Sequence, residues 1–200
     1  MMMMSMVVNT PHDSRILQQQ QQQAVSDAIP RAVALPHLSL EEEIRLGQRG
    51  VVERQRRKGR VGDAIIVVDS KLSEADIWEN LSDVRRWSSL MRGVKSSTIR
   101  ETRRDGSVRA HFKVTKLRLP ANVVFRPTSS TILFDLDKDC RNIALDSLKG
   151  FWHIEPSPNG QNLTRVWLAA SVAACAIVPN VAIDYVASKA LRRATNWLIV

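Results

Sequence analysis

From Gly62 onward, apolar positions fall into short β-like runs, interrupted once by a helical period and closed by a second. Ala64-Ile65-Ile66-Val67-Val68 is short and β-branched, and predicts a strand. Ser73, with Asp76 three positions on, marks a helix start, and Ile77, Leu81 and Val84, extended by Trp87, Leu90 and Met91, recur at helical spacing until Gly93. Two β-like runs, 94–101 and 108–119, flank Arg103-Arg104-Asp105-Gly106, and Asp-Gly between such runs signals a hairpin. On its second arm Val108, Ala110, Phe112 and Val114 share one face, while Arg109, His111 and Lys113 share the other. Pro120 and Pro127 interrupt the ladder before Ile132, Phe134 and Leu136 resume the alternation. Strands over 142–146, 148–155 and 163–174 follow, the last two joined by the turn Pro156-Ser157-Pro158-Asn159-Gly160. Residues 180–198 then place Ile183, Val186, Ala190, Leu191, Ala194 and Leu198 on one flank and Asp184, Lys189, Arg192 and Arg193 on the other. That is a long amphipathic helix lying over an apolar surface.

The first sixty residues read differently. The opening Met cluster and the run Gln18–Gln23 are low complexity and lack the apolar periodicity that would offset the entropy of ordering them. Ser39 and Glu42 have capping-box spacing and head a short helix carrying Ile44, Leu46, Val51 and Val52, weakened by Gly47 and Gly50. Arg54 to Arg60 then reads as a basic hinge. The expected organisation is a disordered leader over 1–37, a short helix and hinge over 38–60, and one folded, ligand-binding domain over 61–200. Its element order predicts an α+β fold, with a curved antiparallel sheet of six to seven strands wrapped around the C-terminal helix and two short helices after the first strand.

Charge sharpens this picture. The chain carries a formal net charge of +9, and the stretch from Arg85 to Arg118 alone holds eleven bases against Glu101 and Asp105. Arg85, Arg86, Arg92, Lys95, Arg103, Arg104, Arg109 and Lys113 are therefore the candidates for contact with an anionic surface, either a membrane or nucleic acid, although charge runs are commonly just solvated faces. The longest nearly apolar run, 166–178, is too short to span a bilayer, which takes ~20 residues. No compact basic and apolar signal opens the chain, so secretion is not expected. The acid-poor, Ser-containing leader is compatible with import into a plastid or mitochondrion, the alternative being a cytoplasmic protein.

Candidate chemistry is sparse. There is no His-Glu-x-x-His, Walker loop, Gly-x-Ser-x-Gly or Gly-x-Gly-x-x-Gly. His111 and His153 lie on predicted strands and would form an acid–base pair only if they shared a pocket. Asp135, Asp137 and Asp139 alternate, but lack the following Gly and distal Glu of a calcium loop, so no metal or cofactor is expected. Trp78, Trp87, Trp152, Trp167 and Trp197 are scattered, which suits core packing or the wall of a ligand pocket better than a base-stacking platform.

Several of these segments together resemble the START-like helix-grip superfamily, in particular its polyketide cyclase/dehydrase and lipid-transport branch, which includes the coenzyme Q-binding protein. The resemblance rests on Ala64 to Val68, on Glu74-Ala75-Asp76-Ile77-Trp78-Glu79-Asn80-Leu81-Ser82-Asp83, on Trp87-Ser88-Ser89-Leu90-Met91, and on Gly93-Val94-Lys95-Ser96. Thr164-Arg165-Val166, Pro179 and Ala190-Leu191-Arg192-Arg193-Ala194-Thr195-Asn196-Trp197-Leu198 are similar to the family's last strand and lid helix. It covers about 62–200 and implies a cavity between sheet and terminal helix that takes a lipid, quinone or polyketide. The family has no universal catalytic motif, so it implies no catalytic residue. Alternation then nominates Phe112, Val114, Phe134, Trp152 and Leu168 as cavity-facing, with Val186 and Ala190 closing from the helix, and leaves Trp167 competing with Leu168. The expected function is non-catalytic binding or transfer of a hydrophobic small molecule, with peripheral contact to anionic membrane. A cyclase or dehydratase enzyme, and an RNA- or ribosome-associated module using the basic 85–118 stretch, are the alternatives.

Overall fold

The computed structural model describes residues 33–48, 50–114, 119–179 and 189–199. The leader up to residue 32, Lys116, Arg118 and the first half of the expected C-terminal helix, Val186 included, lie outside the described residues. Residues 39–200 make one compact unit. The described residues before it, 33–38, belong to a separate unit and carry no regular secondary structure.

Helix α1 (Leu40–Gly47) starts as its capping box demands: Ser39 Oγ accepts from the Glu42 amide, and the Ser39 amide donates to Glu42 Oε2 at 2.8 Å. It stops at Gly47, short of the Val51-Val52 end expected for it. Strand β1 (Val51–Lys58) follows and turns through Gly59, at φ 59°, into β2 (Val61–Ser70). The basic stretch expected to be a hinge is thus the second half of a strand. Its arginines give no apolar alternation, yet the strand pairs along its whole length with β2, from Val51 opposite Val68 to Lys58 opposite Val61.

After β2, Ser73 Oγ accepts from the Asp76 amide and caps α2 (Glu74–Ser82). Asp83 breaks the helical path, and a 3-10 turn over Val84–Arg86 leads into the short α3 (Trp87–Leu90). The remaining strands are β3 (Val94–Thr102), β4 (Val108–Val114), β5 (Leu119–Pro127), β6 (Thr131–Leu136), β7 (Leu145–Pro156) and β8 (Thr164–Ala174). Helix α4 is described over 189–195 and ends in a 3-10 turn at Asn196–Leu198.

These strands form one open antiparallel sheet of eight, in the order β1-β2-β8-β7-β6-β5-β4-β3. The α+β class and antiparallel sheet hold, but the count of six to seven strands is corrected. Besides β1, the segment between Pro120 and Pro127 is the strand β5, its prolines confined to its second and last positions. Segments 142–146 and 148–155 merge into β7, with a register shift between Leu145 and Ser147 that interrupts the sequence alternation. The β3–β4 turn is the predicted hairpin. Gly106, at φ 80°, donates to the Arg103 carbonyl, and Asp105 Oδ1 accepts from the Ser107 amide and hydroxyl.

One face of the sheet carries the core: Ile66 and Val68 from β2, Phe112 from β4, Val123 and Phe125 from β5, Phe134 from β6, Trp152 and Ile154 from β7, and Leu168 from β8. Ile77, Leu81, Trp87 and Met91 from α2, α3 and its C-cap, together with Leu198, pack against it. A buried ion network fixes α1 to the sheet. Arg165 on β8 donates to both Glu43 oxygens, at 2.8 and 2.7 Å, and to Asp69 Oδ1 at 2.8 Å.

Candidate functional site

Between the core face of the sheet, α3 and α4 lies a cavity of about 520 Å³. Its floor is an aromatic cluster. Trp87 meets Phe125 edge-on with ring centroids 4.9 Å apart, lies 5.6 Å from Phe112 and 6.3 Å from Trp152, and Phe125 extends the cluster to Phe134 at 6.1 Å. The Trp87 indole N–H donates to the Leu81 carbonyl at 3.1 Å, so the ring is held by α2 and presents its apolar surface to the cavity. Leu168, Ala170 and Val172 of β8 and Ala64 of β2 form a wall, and Ala190, Leu191 and Ala194 of α4 form the roof. Alanines at these positions are part of what leaves the space open.

Polar side chains gather at one end. Gln55 and Arg57 stand opposite Ala64 and Gly62 in the β1–β2 ladder and therefore share the cavity face, while Arg56, Arg60, Asp63 and Arg193 complete that end. Among the described residues, the lining contains no histidine, glutamate, cysteine, serine, threonine or tyrosine. Asp63 is the single carboxylate among the described lining residues.

Of the residues nominated from the sequence, Phe112, Val114, Phe134, Trp152, Leu168 and Ala190 all line this cavity. The competition between Trp167 and Leu168 resolves in favour of Leu168. Trp167 is on the opposite face, where its Nε1 donates to Glu155 Oε1 at 2.7 Å. Sequence reading missed Phe125, hidden between two prolines, although Val123 and Phe125 alternate as a strand should. It also missed Gln55, Arg57 and Arg60, because β1 shows no apolar signal.

The two strand histidines do not meet. His111 Nδ1 is 2.9 Å from Asn122 Oδ1, and His153 Nδ1 is 2.8 Å from Thr131 Oγ1, both on the sheet face away from the cavity. The three alternating aspartates are each engaged by arginine: Asp135 by Arg126, Asp137 by Arg109 at 2.7 Å, and Asp139 by Arg103 at 3.5 Å. Burial pushes the Asp137 carboxyl up, but its bonds from Arg109, Cys140 and the Asp139 amide outweigh this and hold it below the usual range. Among the described residues, no group of three His, Cys, Asp or Glu is placed to hold a metal.

The eight nominated bases are spread rather than gathered. Arg103 and Arg104 lie at the β3–β4 turn, at the opposite end of those strands from Lys95 and Lys113. Arg85 is paired with Asp83 at 2.8 Å, Arg86 with Glu79 at 2.9 Å, and Arg109 with Asp137 and Glu101. Arg92 is exposed beside α3. No helix among the described residues is long and apolar enough to cross a membrane.

The family model described as polyketide cyclase/dehydrase and lipid transport matches residues 71–198. No curated protein sequence matches the chain. Among solved structures, it is similar to the STAR-related lipid transfer protein of Xanthomonas axonopodis, with a TM-score of 0.60 and 14% identity over 82% of this chain and 97% of that one. It is also similar to a START superfamily protein of Mycobacterium smegmatis (TM-score 0.53, 16% identity, 74% and 93% covered). A third likeness is to the Zhui aromatase/cyclase of Streptomyces sp. R1128 (TM-score 0.54, 14% identity, 68% and 88% covered). At such identities the likeness is one of fold.

Proposed function

This chain belongs to the polyketide cyclase/dehydrase and lipid transport family, and we propose that it binds and carries a hydrophobic small molecule in the cavity without transforming it. The cargo is of the lipid, quinone or polyketide-like class. The observation that carries this reading is the composition of the lining: among the described residues it is aromatic and aliphatic, with polar groups at one end only. A volume of about 520 Å³ lies within the ~300–1,000 Å³ of small-molecule pockets. Each methylene transferred into such a space gains ~0.8 kcal/mol, so an extended apolar cargo is held by its length rather than by particular hydrogen bonds.

Cyclisation or dehydration would require a group able to move a proton within hydrogen-bond reach of the cargo. His111 and His153 lie on the other face, and Asp63 stands among arginines at the end of the cavity rather than over the aromatic floor. The arrangement therefore favours carriage over turnover.

Native mass spectrometry and lipid extraction of the full chain, purified from cells and offered a panel of quinones and phospholipids, test the reading. A stoichiometric hydrophobic ligand is expected. Ala190→Trp, which fills the roof of the cavity, is expected to lower occupancy at least about tenfold, in line with the tenfold that 1.4 kcal/mol represents, while leaving the circular dichroism spectrum unchanged. An empty cavity that takes up nothing from the panel, or turnover of an offered poly-β-ketone, overturns it.

A further inference from the structure

We propose that the polar end of the cavity is a docking surface for an anionic phospholipid bilayer, with aliphatic side chains entering the head-group layer and the β1–β2 hairpin meeting its charge. Three separate chain segments are tied together there. Arg60 Nη1 donates to the carbonyls of Cys175 and Val178 at 2.7 and 2.8 Å, the Ala174 amide donates to the Arg60 carbonyl, and the Cys175 amide donates to the Ala144 carbonyl. The hairpin tip, the end of the β6–β7 connection and the turn after β8 thus form one continuous surface.

Large aliphatic side chains stand open on it. Ile177 is 72% exposed, Ile143 47% and Val61 45%, and each is within two residues of that hydrogen-bonded junction. The other large hydrophobics exposed among the described residues, Leu40, Ile44 and Ile199, belong to α1 and the chain's end. Exposed aliphatics next to a basic hairpin form an amphipathic arrangement suited to an interface rather than to bulk water.

Charge selects the partner. Arg56, Arg57, Lys58 and Arg60 are contributed by the hairpin within five positions. Among the described residues, the acids close by are Asp63, opposite Arg56 in the ladder, and Asp146, which accepts from the Cys175 thiol at 2.9 Å. Bases therefore exceed acids. Arg60 donates to main-chain carbonyls, which orient the guanidinium without cancelling its charge. A nucleic acid would instead be expected to find aromatic rings to stack on, and the open side chains here are aliphatic. This surface also differs from the basic stretch nominated from sequence, which the fold spreads over both ends of the sheet.

Position gives the surface a purpose. Arg60, Ala144 and Val178 line the cavity as well as forming this junction, and Arg56 and Arg57 of the same hairpin line it too. Cargo leaving a docked molecule would pass from an apolar wall to acyl chains with little exposure to water. The inference deepens the carrier reading and rests on it for this purpose only.

Vesicle flotation with the full chain tests it, comparing phosphatidylcholine vesicles with vesicles in which about a quarter of the lipid is phosphatidylserine. The chain is expected to float with the anionic vesicles, and less so as salt is raised. Arg56→Gln and Lys58→Gln should each weaken binding about fivefold, and Ile177→Asp at least about tenfold. Arg104→Gln, at the far turn, should leave binding unchanged. Flotation of all variants alike, an equal loss in Arg104→Gln, or binding of single-stranded RNA through these bases without flotation overturns the proposal. Cargo is read separately by native mass spectrometry. A loaded chain that does not float overturns docking alone, and an empty chain that floats overturns carriage alone.

Discussion

Arg165 has 3% of its side chain exposed, and its charge is met from two sides, by Asp69, itself 1% exposed, and by Glu43 on α1. Ser157 and Asn159 bring two further donors to Asp69, each at 2.8 Å. Burial pushes the Asp69 carboxyl up, but these bonds, Arg165 first among them, bring it below the usual range; the hydrogen bonds from Arg165 lower Glu43 as well. Replacing Arg165 by Met leaves Asp69 buried and uncompensated, a cost of about 3–5 kcal/mol that urea denaturation at neutral pH would measure. The pH dependence follows from the same bonds. Depressed carboxyl pKa values contribute full stability above the unfolded values near 4, and that contribution is lost as pH falls through the folded ones. The parent chain should therefore lose stability steeply below about pH 4, and Arg165→Met should show a flatter acid limb.

At the scale of elements, β6, β7 and β8 are locked by a close approach. Phe134 and Gly150 are cross-strand partners, and a Cβ at position 150 would fall well inside van der Waals contact with the Phe134 ring and the Ala169 carbonyl. Gly150→Ala should cost about 1–3 kcal/mol through overpacking, read as a lower Tm at ~2–4 °C per kcal/mol for a domain of this size. It should also displace Phe134 and so change cavity occupancy. Elements of this kind were unequally legible in the sequence. Strands with one buried face, such as β4 and β6, announce themselves by alternation, and that alternation also assigned Phe112, Val114 and Phe134 to the cavity. Strand β1 did not, because an edge strand joined by its backbone can carry Arg-Gln-Arg-Arg-Lys without penalty, and such charges protect the open edge from further pairing. Strand β5 was obscured by prolines that mark its ends rather than its interior. Trp87 and Met91 were readable as helical but not as cavity-facing, since the break at Asp83 resets the direction in which α3 points.

At the largest scale, the described sheet joins strands that are mostly neighbours in sequence, with one exception. From β3 to β8 each strand pairs with the next, but β2 pairs with β8, so that Ile66 stands opposite Leu168. Segments on the order of a hundred residues apart must find each other before the sheet is complete, a non-local contact of the kind that slows folding. Until β8 emerges from the ribosome, the apolar run Ile65–Val68 has β1 as its partner on one side and an open row of peptide groups on the other. A chain ending before Thr164 should consequently collect in the pellet on centrifugation and bind thioflavin, where the full chain stays in the supernatant. In the cell, this one long-range pairing leaves an edge of β2 open from the time β2 is synthesised until the last strand arrives, the kind of exposed edge that chaperones exist to shield.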